Sequence, residues 1–400
     1  MNILMLSDVY FPRVNGVSTS IATFRRELET LGHQVHLLAP AYPTAGASEA
    51  GITRIPARYL FADPEDRMMR RGALLDLTAE LAERDIDILH IQTPFVAHHA
   101  GVRLARRLGV PRVETYHTFF EEYLYHYLPW MPPALTRFAA RRFSAMQCND
   151  LDGLVVPSSA MAERLRLYGV RTPTRIIPTG IDPEHLQGGD GAAFRRRLGI
   201  APERPTLVHV GRIAYEKNID FLLHMLDRVR KALPDVLLII AGEGPALHHL
   251  KRLGRQLGLD DHLRFVGYLD REQALLDCYR AGDAFVFASR TETQGLVLLE
   301  ALALGVPVVS TAVMGTRDIL AREHGGALIA EDDTQDFADK VLHLLRDAEL
   351  RARLAREAPI HAAQWNAAHQ ARRLETFYRD IIHHDAVANA SHASIGNAPH

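Results

Sequence analysis

Glu292 and Glu300 are the residues of this 400-residue chain whose surroundings most call for a chemical role. Glu300 stands among Val297, Leu298, Leu299, Ala301 and Leu302. A carboxylate in that company is costly unless satisfied, because glutamate is almost never fully buried without a partner. Either the backbone of a neighbouring loop supplies the partner or a ligand does. Around the pair, residues 283–311 read as strand (284–288), polar loop with a glycine (289–295), apolar helix (296–304) and second β-branched strand (306–310). Glu292 falls just before the helix N-terminus, where free N–H groups and the helix dipole favour anions. An acceptor at each end of such a helix fits a nucleotide-sugar, which carries hydroxyls on both sides of a pyrophosphate.

Other candidates follow the same logic of strand ends. Arg212 and Lys217 lie in 211–218, GRIAYEKN, after a strand at 206–210. They are either ordinary surface charges or a phosphate site, for which a forked guanidinium beside a point-charge ammonium is suited. His117 follows a strand at 112–115, which puts it at the carboxyl edge where open α/β sheets bind ligands, or makes it a structural histidine. Asn15 and Gly16 lie in a loop between a strand (2–6) and a helix (18–31) that Ser18 or Thr19 can cap; this is a phosphate approach or a plain tight turn. Two D-x-D triplets, Asp85-Ile86-Asp87 and Asp150-Leu151-Asp152, resemble metal sites, but each precedes a buried strand and reads as charged punctuation; no metal is expected.

The elements that position these residues alternate strand and helix throughout, the pattern of parallel doubly wound sheets. The alternation restarts after a Gly- and Pro-rich stretch at 176–194. Composition is that of a soluble globular chain, 47% apolar and 24% charged, and a net charge of −2 argues against nucleic-acid binding. Two isolated cysteines, Cys148 and Cys278, fit a reducing compartment. The first residues, MNILMLSDVYF, read as a strand rather than a signal peptide, and no apolar run approaches the ~20 residues of a spanning helix. A basic and aromatic stretch at 103–142 is either a solvated helix face over a core or an interfacial membrane segment. Residues 361–382 read as a last helix, and 383–400 as a disordered tail.

Four stretches together carry a family resemblance: YFPRVNGVSTSI (10–21), ETYHT (114–118), GRIAYEKN (211–218) and the E-x7-E helix followed by GVPVV. The chain resembles retaining glycosyltransferases of the group 1, family 4 type, most of all bacterial diacylglycerol glucosyltransferases. The resemblance covers 1–382. It implies the GT-B fold, α/β, with two Rossmann-like doubly wound parallel-sheet domains facing across a cleft: 1–175 on the acceptor side with the returning helix 361–382, and 176–360 for the nucleotide-sugar. In the resembled family the Asn15–Gly16 loop lies beside the donor phosphates, and His117 in the donor–acceptor cleft. Gly211, Arg212 and Lys217 then meet the departing diphosphate. Glu292 and the backbone of Thr293, Gln294, Gly295 and Leu296 hold the sugar, and Glu300 holds the ribose.

These expectations amount to a metal-independent, cofactor-free hexosyltransferase that takes UDP-glucose as substrate and passes glucose to a membrane lipid such as diacylglycerol. It would be cytoplasmic, peripheral on an anionic membrane surface, with no nucleic-acid partner. A cell-surface glycan or another lipid as acceptor is one alternative. An epimerase or phosphorylase of the same fold, or a sugar-nucleotide binding module, is another.

Overall fold

The structure, a computed structural model, describes residues 1–43, 49–60, 63–117, 133–182, 185–320 and 325–395. The chain divides into two compact units, residues 1–180 with 367–400, and residues 181–366. It passes from one to the other at Gly180–Ile181 and returns at Asn366–Ala367, whereas the sequence places the boundary at 175/176.

In the first unit, β1 (Asn2–Leu6), β2 (Gln34–Pro40), β3 (Ile52–Ile55), β6 (Ile88–Ile91), β7 (Arg112–Thr115), β8 (Gly153–Val156) and β9 (Thr174–Ile176) form one sheet in the order β3-β2-β1-β6-β7-β8-β9. Every pairing in it is parallel. A separate antiparallel hairpin pairs β4 (Ala57–Leu60) with β5 (Asp63–Met69). One face of the large sheet buries Ile3, Met5, Val35, Leu37, Ile88, Val113 and Val155 against Ile21, Phe24 and Leu28 of helix Gly16–Thr30. The final helix, Ala367–Ile395, adds Ala371, Leu374, Phe377, Tyr378 and Ile381 to this same core. That helix corrects the sequence reading, which starts it at 361 and makes 383–400 a disordered tail. The reason is local propensity: 383–395 holds Ala386, Ala388, Ala390 and Ala393 and meets no glycine or proline before Gly396.

The second unit has the sheet order β12-β11-β10-β13-β14-β15, all parallel, from β10 (Thr206–Val210), β11 (Leu237–Ala241), β12 (Leu263–Gly267), β13 (Ala284–Phe287), β14 (Val308–Thr311) and β15 (Ala327–Ala330). Alternate side chains feed two cores, as the period of two requires. Val208, Leu237, Ile239, Phe285 and Phe287 pack on helix Leu296–Ala303, and Leu207, Leu238, Ile240, Ala284 and Val286 on helix Ile219–Ala232. Strands covered on both faces read as continuous apolar runs, which is why LLIIA of β11 is legible without alternation.

Candidate functional site

In the second sheet the strand order reverses between β10 and β13, the switch point at whose carboxyl ends open α/β sheets bind ligands. The two loops leaving these strands carry Arg212, Lys217 and Glu292, and the helix that follows the second loop carries Glu300. After β10, residues 211–217 run over the glycines of the neighbouring loop: Gly211 N–H donates to Ala241 O (3.0 Å) and Ile213 N–H to Glu243 O (2.8 Å). A Cβ on Gly242 would stand 1.9 Å from Gly211 O, so that approach requires glycine. The loop closes in a short 3-10 turn, Tyr215–Lys217, and Asn218 ties it to the next strand end by donating to Ala288 O (3.0 Å).

The loop after β13 answers it. Lys217 Nζ donates to Glu292 Oε1 at 2.6 Å, a charge-assisted bond between side chains that are both largely shielded from solvent. Arg212, Thr293 and Leu296 are part-buried, and Gln294 and Gly295 buried. Gly295, at φ 100°, sits in the left-handed region that favours glycine and starts helix Leu296–Ala303 without a side-chain cap. Glu292 O accepts from Gly315 N (2.9 Å), so the loop after β14 braces this one.

Glu300, 4% exposed, does have its partners. The sequence leaves a loop backbone or a ligand as the alternatives, and within the protein the structure supplies two side chains instead of a loop backbone: Tyr279 Oη donates to Oε2 at 2.8 Å and Arg271 Nη2 to Oε1. Neither residue stands out in the sequence. A signal was available only in combination, an arginine and a tyrosine on one short segment beside a helix with one buried acid.

The first unit repeats the scheme at its own switch point, between β1 and β6. Thr93 Oγ1 donates to Asp8 Oδ2 (2.9 Å), accepts from Asp8 N (2.7 Å), and Ala97 N donates to the same carboxylate oxygen (3.0 Å). Burial pushes the Asp8 carboxyl up to about 6. Gly16 opens helix Gly16–Thr30, whose cap is Asn15, not Ser18 or Thr19: Asn15 Oδ1 accepts from Ser18 N and Ser18 Oγ from Asn15 N, both at 2.9 Å. A Cβ on Gly16 would meet no described atom within 4 Å, so packing within the protein does not demand a glycine there.

His117 lies two residues past β7, its Nε2 3.1 Å from Gln92 Oε1 at the end of β6. Burial holds it down at about 4, hence neutral at pH 7. Glu114 of the same segment turns inward to His98 (2.5 Å) and is structural. Of the basic and aromatic stretch 103–142, residues 118–132 lie outside the described residues.

Thus Gly211, Arg212, Lys217, Glu292, Thr293, Gln294, Gly295, Leu296 and Glu300 belong to the second unit, and Asn15, Gly16 and His117 to the first. In the D-x-D triplets Asp87 accepts from Asn2 N (2.7 Å) and Asp152 from Arg112 N (2.8 Å), both at strand starts, and Asp150 pairs with Arg106 (2.6 Å). Among the described residues no group of three or more His, Cys, Asp or Glu could hold a metal ion.

Comparison with known proteins gives two family matches, glycosyl transferases group 1 over residues 190–361 and glycosyltransferase family 4 over residues 14–185. The chain is 35% identical over 355 residues to alpha-monoglucosyldiacylglycerol synthase of Streptococcus pneumoniae, covering 86% of this chain and 78% of that protein. It is 27% identical to the Acholeplasma laidlawii protein of the same name, covering 96% and 98%. Among solved structures, sucrose-phosphate synthase from Thermosynechococcus elongatus superposes with a TM-score of 0.77 at 21% identity, over 95% of this chain and 98% of that one. Anabaena Alr3699/HepE in complex with UDP-glucose does so at 0.76 and 18%, over 95% and 100%.

Proposed function

The chain is a glycosyltransferase of the group 1, family 4 type, and from that premise we propose that it transfers glucose from UDP-glucose to a membrane glycerolipid, diacylglycerol, with retention of configuration. The observation that carries this reading is the Lys217–Glu292 pair at the switch point of the second sheet, with the buried Glu300 on the helix that follows. Arg212 and Lys217 stabilise the departing diphosphate. Glu292 and the backbone of residues 293–296, at an uncapped helix N-terminus, hold the sugar, and Glu300 takes the ribose hydroxyls. In the first unit, the open space at Gly16 admits a phosphate close to the backbone, and neutral His117 serves the transfer as an uncharged hydrogen-bonding group. Catalysis is then positioning plus charge stabilisation, with no protein group needed as a metal ligand.

A division of labour follows. Glu300→Gln weakens binding of free UDP, whereas Glu292→Gln leaves UDP binding nearly intact and lowers transfer from UDP-glucose. Titration calorimetry with UDP and turnover with UDP-glucose read the two effects. Equal losses of UDP affinity in both variants would remove the assignment.

The lipid acceptor is supported by the names of the two relatives and by a surface. Helix Pro133–Cys148 exposes Leu135, Phe138 and Met146 together with Arg137, Arg141 and Arg142, and helix Val96–Leu108 exposes Arg103, Arg106 and Arg107. Among the described residues no helix is long and apolar enough to cross a membrane. Docking on anionic headgroups at the cytoplasmic face brings the enzyme to its acceptor, with about 1 kcal/mol per basic residue near the surface. The protein therefore sediments with anionic vesicles at low salt and is released at high salt. Arg137→Glu with Arg142→Glu lowers the bound fraction about tenfold or more. Absence of vesicle binding, with glucose transferred to a water-soluble glycan and none to diacylglycerol, would replace the lipid by the glycan acceptor.

A further inference from the structure

Glu300 occupies a built setting that reaches well beyond its own helix. Its neighbours Leu298, Leu299, Ala301 and Leu302 are buried, and a carboxylate there needs opposite charge and donors. Tyr279 has no exposed surface and packs its ring on Phe285, with centroids 5.5 Å apart. Phenylalanine would fill that space equally well, so the hydroxyl is accounted for by its 2.8 Å bond to Glu300 Oε2. Burial first, and the Glu300 charge second, push this phenol well above its ordinary range, which keeps it a donor.

Arg271 comes from the turn after β12. There Asp270 Oδ1 accepts from the backbone N–H of Glu272 (3.2 Å), Gln273 (3.0 Å) and Ala274 (3.3 Å), which fixes the backbone that carries the guanidinium. The Arg271 side chain is about a third exposed (35%) where it meets Glu300 Oε1, whereas Tyr279 meets Oε2 from fully enclosed surroundings. A carboxylate has about four acceptor positions, two on each oxygen. One donor on each oxygen leaves one further position on each, the arrangement that takes two hydroxyls of a vicinal diol.

We propose that Tyr279 and Arg271 are positioning residues for the nucleotide ribose: they fix the plane of the Glu300 carboxylate so that its remaining lone pairs accept from the 2′- and 3′-hydroxyls. The inference rests on the assignment of Glu300 to the ribose and extends it to two residues that act through Glu300. It also makes the site selective for ribose over deoxyribose, since a buried charged acceptor left without its hydroxyl donors is penalised.

The test compares UDP with 2′,3′-dideoxy-UDP by titration calorimetry on the full chain. The quantity read is the ratio of the two affinities within each protein, which a general loss of packing leaves unchanged. The unaltered protein prefers UDP by about tenfold or more, the size expected for hydrogen bonds to a charged group. Tyr279→Phe and Arg271→Gln each reduce that ratio by roughly fivefold, mainly through loss of UDP affinity, and the donor KM changes more than kcat. Arg271→Lys, which keeps the charge, recovers part of the ratio. If the unaltered protein discriminates and both variants keep its ratio, the positioning role is overturned while Glu300 keeps the ribose. If the unaltered protein itself fails to discriminate, the ribose assignment falls and this inference falls with it. Arg271 is partly exposed, so its variant remains informative even where Tyr279→Phe fails to fold.

Discussion

Lys217→Ala, and separately Arg212→Ala, lowers turnover of UDP-glucose by about two orders of magnitude or more, corresponding to ~3 kcal/mol of lost leaving-group stabilisation. The expectation comes from their common loop at the carboxyl end of β10, beside the loop that brings in Glu292. In Lys217→Ala a second effect adds to the first: Glu292 loses its 2.6 Å partner while still shielded, so the carboxylate proposed to hold the sugar is displaced as well. Arg212→Ala leaves that pair in place, and the two variants therefore differ in UDP-glucose KM. Near-normal turnover of either folded variant would overturn the phosphate assignment. Hydrogen exchange gives a companion reading, since bound UDP-glucose protects the backbone amides of residues 211–217.

Acidification produces the second large effect, on stability. His209 in the second unit is fully enclosed beside the Phe285 and Phe287 rings, its Nδ1 3.1 Å from Val286 O, and burial pushes it down to about 4. His90 in the first unit bridges the hydroxyls of Tyr378 (2.5 Å) and Thr115 (2.8 Å) and is pushed down to about 3. Between pH 6.5 and these values the unfolded chain takes up protons that the folded chain does not. Stability present above about pH 6.5 is therefore lost as the pH falls. At ~1.4 kcal/mol per pH unit, each histidine removes about 3 kcal/mol by pH 4.

Asp8 works in the opposite direction in the first unit. Its raised carboxyl gains a proton in the folded state near pH 6, before the unfolded chain does, and returns about 2 kcal/mol by pH 4. His117 of the first unit, held down at about 4, adds a loss of the same sign as His90, so each unit loses stability as the pH falls. Urea unfolding at pH 7 and pH 4 therefore shows stability lost in acid, and His209→Gln shrinks the loss of the second unit. A loss unchanged in His209→Gln would contradict this ionisation picture.

What the sequence made legible was local. Runs such as LLIIA and AFVF are strands because a sheet covered on both faces leaves no polar alternation, and the loops after them follow once the strand ends are placed. Glu292, Glu300, Arg212 and Lys217 were visible because each breaks the pattern of the segment around it. Contacts between distant segments were not visible. The partners of Glu300 lie 29 and 21 residues away in sequence, on a turn and a helix with ordinary periodicity of their own. The Asp8–Thr93 junction spans 85 residues and joins two loops that look like plain connections. Asn15 is not legible as the cap because Ser18 and Thr19 compete for that role, and only the backbone geometry shows Ser18 answering Asn15 at the third helical position. The last helix extended past its expected end because alanine propensity outweighed the small, polar composition that suggested disorder.

The central claim is transfer of a sugar, with retention, from a nucleotide-sugar held at the switch point of the second sheet. Its most direct test is incubation with UDP-glucose and anionic vesicles containing diacylglycerol, with UDP release and the product followed together by mass and by NMR of the anomeric proton. One UDP is expected per α-linked glucosyl lipid formed, with both signals lost in Lys217→Ala. Turnover of the donor alone, a dependence on inorganic phosphate, or a β-linked product would contradict it.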